Sequence, residues 1–471
     1  MSFSKYYKLN EIKSDPYLLI NLIFCFFPIS FIIGSFIVNL NIILFCCFGI
    51  YLLKSKILKT RLNLPIKIIF LFFFIIFFSS CLNFFESLYL NEYEEYDLEK
   101  IIKSFLFFRF FLFLIIIYLL NYYEILDFKY FFVVAAISPL LLSIDIIFQY
   151  FMGFDFLGFE RVGLHNSGFF GDEKVAGGYL QRFSFFTILF FALIFENKAY
   201  MKLFLSTILI CTIFTGIILS GNKMPLFLFI LGLFFIFLVN IKMRKIIILN
   251  LLFIVILFKV ITDSNQEMKG AYQSFFISAD NIFKILPKNI QHWNRQEIEN
   301  DENGNSALRN KTKFFTIKWE SGHRRLFLTA VDTWKFNKIF GNGIKSFRKD
   351  CHKLAESGVN LEEDIYPERK NRLCSNHPHN YYFQILTSTG IIGLIIILII
   401  GSLFINFLIK NTFLIKNYEV KNFLLLSAVV CLILETFPFR STGGIFTTNN
   451  ASYIALTAGI ILSYKNILKI K

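Results

Sequence analysis

The stretch CSNHPHNYYFQILTSTGIIGL, Cys374–Leu394, sets two of the chain's six histidines and an asparagine directly before an apolar run. That run continues to about residue 409 without a charged side chain. Runs of roughly 17–25 apolar residues mark transmembrane helices, because each must cover about 30 Å of hydrocarbon. The rest of the chain is built the same way: 471 residues, 56% hydrophobic, 64 of them Phe, with a mean hydropathy of +0.60. Twelve such segments are predicted, at about 17–34, 36–53, 65–81, 104–121, 131–151, 178–195, 202–219, 224–240, 246–262, 386–409, 422–438 and 451–466. Only a weak polar break near Asn39 and Asn41 separates the first two. The first block is too long for a cleaved leader, and no small-residue cleavage site follows it.

Charge sets the expected orientation. Lys and Arg accumulate on cytoplasmic loops, and the net charge of +15 divides accordingly. With an inside N-terminus, the inner segments include KSKILKTRLNLPIK, ENKAYMK, NIKMRK and the tail SYKNILKIK, all basic. The opposite loops include the acidic ESLYLNEYEEYDLEK, a Gly-rich stretch at 152–177, and one excursion from about 263 to 378. Both termini are therefore expected in the cytoplasm. The basic residues are dispersed rather than gathered in one patch, so nucleic acid is not implied as a partner. The expected organisation is nine transmembrane helices over 1–262, a large outer loop with amphipathic helices over 263–379, and three more helices over 380–471.

Six of the eight cysteines fall in apolar segments, where Cys behaves as a small hydrophobe. Cys351 and Cys374 fall in the large loop, and an oxidising compartment predicts a disulfide between them. No Cys or His spacing resembles a zinc site. Within the loop, the polar NRQEIENDENGNSALRNKTK is expected to lack regular packing. SGHRRLFLTAVDTWKF then reads as an amphipathic helix, with Ser321 as N-cap and Leu326, Phe327, Ala330, Val331 and Trp334 at helical spacing. Arg324 and Arg325 lie in its first turn, where the helix dipole disfavours cations and a bound anion would offset the cost. GNGIKSFR follows with Lys345 and Arg348, and its glycines serve a turn as well as a phosphate cradle.

His379 and Asn380 are followed by nine residues, Gly390, two more residues and Gly393. This spacing resembles the signature of the O-antigen ligase family, which shares its membrane domain with O-antigen polymerases. RVGLHNSGFFGDEKVAGGYLQRF, from Arg161 to Phe183, resembles the family's Arg-containing outer loop. LSGNKMPLFLFI resembles its short hairpin, with Lys223 where an Arg is usual. SGHRRLFLTAVDTWKFNKIFGNGIKSF resembles the segment before the catalytic histidine.

The resemblance implies an all-α polytopic membrane protein of about twelve transmembrane helices, GT-C-like, with the large periplasmic loop between helices 9 and 10. It also implies an enzyme of the bacterial inner membrane. Such an enzyme moves a polysaccharide from a polyisoprenyl (undecaprenyl) diphosphate carrier to an acceptor hydroxyl, such as lipid A core, in lipopolysaccharide biosynthesis. A sugar hydroxyl is a poor nucleophile near neutral pH, which calls for a base of pKa near 7, and His379 fits, with Asn380 orienting it. The diphosphate leaving group needs cations, and Arg suits phosphate through its bidentate fork. Arg161, Arg324, Arg325, Arg348 and Arg182 are the candidates on this side. The chain holds no Asp-x-Asp pair, so the expected transfer uses no metal and no cofactor.

Ionisable groups inside a bilayer are expensive and mark function or pairing. Arg109 and Asp145 lie at similar depth and either pair with each other or line the carrier's groove. His377, Lys223, Arg440 and Glu435 are further candidates for lining the site. Gly390 and Gly393 suit close helix packing. Two other functions remain open at this stage: a polymerase extending lipid-linked repeat units, and a non-enzymatic polysaccharide transporter. One dominant outer loop favours the ligase over the polymerase. The lack of an internal repeat disfavours the transporter.

Overall fold

The computed structural model describes residues 16–91, 93–195, 197–283, 294–300, 306–312, 322–356, 373–411 and 420–464. The described chain is overwhelmingly helical, and helices cover most of the described residues of each of the twelve apolar segments. The first segment forms α1 (Leu18–Cys25) and α2 (Phe27–Ile33), and α3 spans Ser35–Leu53. The chain reverses at Gly34, whose φ of +133° only glycine adopts without strain. The break thus precedes Asn39 and Asn41, and both sit inside α3. Asn39 there bonds Arg109 and Thr448, so its polarity serves helix packing rather than a turn.

Next come α4 (Leu64–Tyr89), α5 (Glu95–Tyr122) and α6 (Phe128–Met152). Pro139 lies inside α6 and removes one backbone donor, and the Thr187 hydroxyl donates to the nearby Ala136 carbonyl at 2.7 Å. The chain continues with α7 (Ala176–Ile194), α8 (Ala199–Leu219), α9 (Lys223–Val239), α10 (Arg244–Ser264) and α11 (Gln266–Phe283). Among the described residues eight helices are long and apolar enough to cross a membrane, which makes this a polytopic membrane protein. Lys223–Val239 and Asn422–Glu435 are shorter apolar helices.

The polar stretch after α11 is not wholly irregular. Residues Asn294–Asn300 (β1) and Ser306–Thr312 (β2) pair antiparallel, from Asn294↔Thr312 to Asn300↔Ser306. Beyond them lie α12 (Gly322–Trp334) and α13 (Phe347–Glu356), then α14 (Tyr381–Asn411), α15 (Val420–Glu435) and α16 (Thr448–Leu462). Ser321, the expected cap of α12, lies outside the described residues, as does the Arg324 side chain.

One continuous apolar core joins the bundle, and Phe24, Phe27, Phe45, Phe113, Phe131 and Phe183 are among its fully buried rings. Polar links gather the remaining segments at one end. Tyr96 OH reaches the Lys345 carbonyl at 2.6 Å, Asn83 the Gly341 carbonyl at 2.8 Å, Asn166 the Leu219 carbonyl at 2.6 Å, and Thr442 N the His379 carbonyl at 3.1 Å. We call this the loop end. The opposite end carries the basic connections, such as Lys54–Lys67 and Lys242–Lys245.

Candidate active site at the loop end

The histidine turn is held from both sides. His379 has φ +55°, a left-handed conformation that a non-glycine residue adopts only where its surroundings impose it. Its carbonyl accepts the Thr442 amide, and Asn380 Nδ2 donates to the Pro438 carbonyl at 2.7 Å. Asn380 Oδ1 accepts the amides of Tyr382 (3.0 Å) and Phe383 (3.3 Å), which caps α14. These three bonds tie Asn380 to the backbone on both sides of the His379 turn. The His377 and His379 rings lie 4.3 Å apart. His377 Nε2 is buried without a described partner, and burial pushes its pKa below the usual histidine value.

Beneath this turn lies a buried ionic knot. Glu435, fully buried, accepts from Arg182 Nε (2.9 Å) and Nη2 (2.6 Å), from Arg440 Nη1 (2.8 Å) and from the Tyr381 hydroxyl (2.6 Å). Arg182 also donates to Asn450 Oδ1 (2.5 Å), and Arg440 to Gln181 Oε1 (3.1 Å). Two guanidiniums around one carboxylate leave a surplus positive charge, and all four carboxylate acceptor positions are used. Such a knot is costly to bury and costlier to break. The sequence signals for it were Arg182, Glu435 and Arg440 beside apolar runs. Nothing in the sequence singled out Tyr381, Gln181 or Asn450.

α14 is not one helix. At Gly390 (φ 64°, ψ −163°) it breaks, and the segment 338–343 enters the gap. Asn342 N donates to Thr387 O (2.9 Å), Gly343 N to Ser388 O (3.1 Å), and Ile391 N to Lys338 O (3.0 Å). Ser79 Oγ of α4 binds Ser388 O (2.8 Å). The Asn342 and Gly343 amides are thus spent on carbonyls of the broken helix, which leaves no phosphate cradle in GNG. A Cβ on Gly390 would collide with the Ile339 carbonyl, so Gly390 serves a backbone insertion rather than helix packing. A Cβ on Gly393 would meet Thr389 of its own helix.

The Arg161 loop packs on the hairpin after α8. His165 Nδ1 lies 3.0 Å from Ser220 O, and Asn222 binds both Gly177 N (3.0 Å) and Lys174 O (3.1 Å). Lys223, half-buried, opens α9 beside this hairpin. Arg161 is half-buried, donates to Gly163 O (2.8 Å) and lies over the Tyr150 ring. Asp145 and Gln149 are fully buried anchors for the same loop, through Phe156 N (2.9 Å) and Gly168 N (2.9 Å). Arg109 instead donates to Asn39 Oδ1 (3.1 Å) and Leu106 O (2.8 Å). The Arg109–Asp145 pairing considered from depth alone is absent, because each has its own nearer partners.

α12 and α13 form a small second core over the start of α14: Leu326, Ala330, Phe347 and Cys351 bury together, and Phe327 stacks on Phe383 at 4.9 Å. Cys351 and Cys374 are disulfide-bonded across 23 residues. A link of that span stabilises by roughly 3 kcal/mol in the chain-entropy account. It ties α13 to the segment that ends in His379. Arg325, in the first turn of α12, is half-buried.

An apolar groove of about 1210 Å³ runs from Asn63, Leu64 and Lys410 at the opposite end to Tyr381, Tyr382 and Thr436 at the loop end. Its walls are Phe73 of α4, Phe107 of α5, the second half of α14, and Ala455 of α16 with their neighbours. Among the described residues no group of three or more His, Cys, Asp or Glu is placed to hold a metal.

A multi-pass membrane protein with a histidine turn, a buried arginine knot and an apolar groove meeting at one end is the class these features define. Residues 206–398, from α8 to the middle of α14, match the family model of O-antigen ligase. The match, over less than half of the chain, supports the resemblance to the O-antigen ligase superfamily, whose members are membrane glycosyltransferase-like ligases and polymerases. No curated protein sequence matches the chain significantly.

Proposed function

We propose that this protein is an O-antigen ligase-type glycosyltransferase with His379 as its general base. The observation that carries the reading is the strained His379 turn, which sits where the groove ends beside Tyr381 and Tyr382 and above the Arg182–Glu435–Arg440 knot. A polyisoprenyl chain lies in the groove, which puts its diphosphate at the loop end. The imidazole accepts the proton of the acceptor hydroxyl, whose oxygen forms the new bond to the anomeric carbon. The bond from that carbon to the diphosphate breaks, and its electron pair leaves with the polyisoprenyl diphosphate. Developing negative charge on that group meets the knot's surplus cation and Arg161, both already fixed in place, with Arg325 and Arg324 of α12 as further cations. Asn380 and His377 position the base. Cleavage of the glycosyl–diphosphate bond supplies the driving force, and arginine takes the part a metal would otherwise play.

The basic connections at the opposite end support an extracytoplasmic loop end in the inner membrane, with both termini in the cytoplasm. The single large excursion supports a ligase rather than a polymerase. The test is deletion of the gene followed by inspection of envelope glycolipids. Carrier-linked polymer accumulating beside bare lipid A core supports the ligase. Single repeat units on the core would replace that reading with the polymerase. In detergent, transfer is expected to survive EDTA. Loss that a divalent ion restores would overturn the metal-free mechanism.

A further inference from the structure

We infer that the turn from Phe154 to Phe159 is a membrane anchor, which folds back along α6 and inserts into the bilayer leaflet at the loop end. By sequence this stretch, FDFLGF, belongs to an outer loop. Phe154, Phe156, Leu157 and Phe159 are nevertheless each 45–65% exposed, an apolar patch that marks a contact surface. The exposed stripe of α6 runs through Ile137, Leu141, Ile144 and Phe151 at helical spacing, and in a membrane it faces lipid. Phe148 belongs to the same stripe, and the Phe156 ring stacks on it at 4.4 Å. The turn therefore lies over a surface that already meets acyl chains.

Its depth is fixed by Asp145, whose Oδ1 accepts the Phe156 amide at 2.9 Å. Asp145 precedes Gly153, the end of α6, by about 12 Å of helix axis. The 25 residues of α6 exceed roughly 30 Å of hydrocarbon by only about 7 Å, so the turn returns to the level where acyl chains begin. The backbone suits that setting, where no water bonds a free amide. Asp155, buried, accepts the amides of Leu157 (2.9 Å) and Phe159 (2.7 Å) on Oδ1. Asp155 N donates to Phe159 O (3.0 Å), and Gly158 N to Asp155 O (3.1 Å). Every amide from Asp155 to Phe159 is thus bonded within the protein, which a loop in water does not require. Gln149 Nε2 adds a bond to Phe159 O (3.1 Å), so the anchor accounts for both buried polar groups of α6, Asp145 and Gln149. Arg161 N then donates to Gly153 O (2.9 Å), which brings the chain back to the end of α6. The anchored turn sets the height at which the rest of the loop leaves the bilayer. A protein partner would cover the same rings, but it would not explain their continuity with the lipid-facing stripe.

The inference does not rest on the transferase reading and is tested by quenching. Full-length protein with Trp293, Trp319 and Trp334 replaced by Phe is placed in phosphatidylcholine nanodiscs. Single tryptophans are then introduced as Leu157→Trp, Phe159→Trp and, at an exposed polar position later in the same loop, Glu173→Trp. In nanodiscs of dibrominated phosphatidylcholine the first two should lose about half of their emission or more. Aqueous iodide should quench them about threefold less than Glu173→Trp. Strong quenching by iodide with none by bromine at Leu157→Trp and Phe159→Trp overturns the anchor in favour of a loop in water. Protection from both quenchers overturns it in favour of a protein cover. A second arm keeps the question answerable if the tryptophan-free chain does not fold. The otherwise unaltered chain, with benzoylphenylalanine in place of Leu157, is irradiated in the same nanodiscs. A phospholipid adduct in the intact mass supports the anchor, and its absence overturns it.

Discussion

The two halves of α14 follow opposite rules. Before Gly390, Gln384, Thr387, Ser388 and Thr389 are polar and at most 3% exposed. After it, Ile395, Leu398, Ile405 and Ile409 are apolar and 48–69% exposed. A soluble helix would bury the second set and expose the first. Here the surroundings are lipid for one half and protein for the other. The break at Gly390 marks the change, and the segment 338–343 supplies the hydrogen bonds that lipid cannot. Chemistry is proposed only at the protein-enclosed half, where polar groups can be fixed.

The largest expected effect lies just before the enclosed half. His379→Ala should reduce transfer by about 10²–10⁴-fold, the usual worth of a general base, with normal insertion and melting. Full activity in a transfer assay would remove the imidazole from the reaction. Glu435→Ala leaves Arg182 and Arg440 facing each other in a buried site and unties Tyr381 from the knot. A loss of about 3–5 kcal/mol is expected, read from thermal or denaturant unfolding in detergent. Gly390→Ala forces a Cβ against the Ile339 carbonyl at positive φ and should cost roughly 1–3 kcal/mol. Limited proteolysis of the 338–343 segment would report its release, and an unchanged digest would show the two halves to be less distinct than described.

A smaller effect depends on pH. Because His377 is held below the usual histidine pKa, the unfolded chain takes up a proton first as pH falls. Stability from this residue is therefore present above about pH 6.5 and declines as pH drops from there towards the folded value. His377→Gln should flatten the melting temperature between pH 7 and 5, and an unaltered slope would assign the dependence elsewhere. The smallest effect belongs to the lipid-facing half. Leu398→Ala should change stability by less than about 0.5 kcal/mol, since that side chain loses little packing. A cost approaching that of Glu435→Ala would break the comparison.

The helices were legible because membrane burial writes long apolar runs. The family resemblance was legible because the spacing of His379, Asn380, Gly390 and Gly393 comes with other family-like segments in the same order. Other features depend on partners far apart in the chain. Arg182 and Glu435 are 253 residues apart, and Asn83 and Gly341 are 258 apart, so no local pattern announces either pair. Depth alone suggested Arg109 with Asp145, but it could not show which helix faces meet. Gly390 looked like a packing residue because small residues at short spacing usually are. What the sequence lacked was the second chain segment that fills the break.

The insertion of 338–343 into α14 also imposes an order on biogenesis. The hydrophobic second half can partition into the bilayer as soon as it emerges. Its polar first half has no stable place there until the earlier-made excursion folds back to receive it. Maturation of this stretch is thus two events, membrane partitioning and then docking.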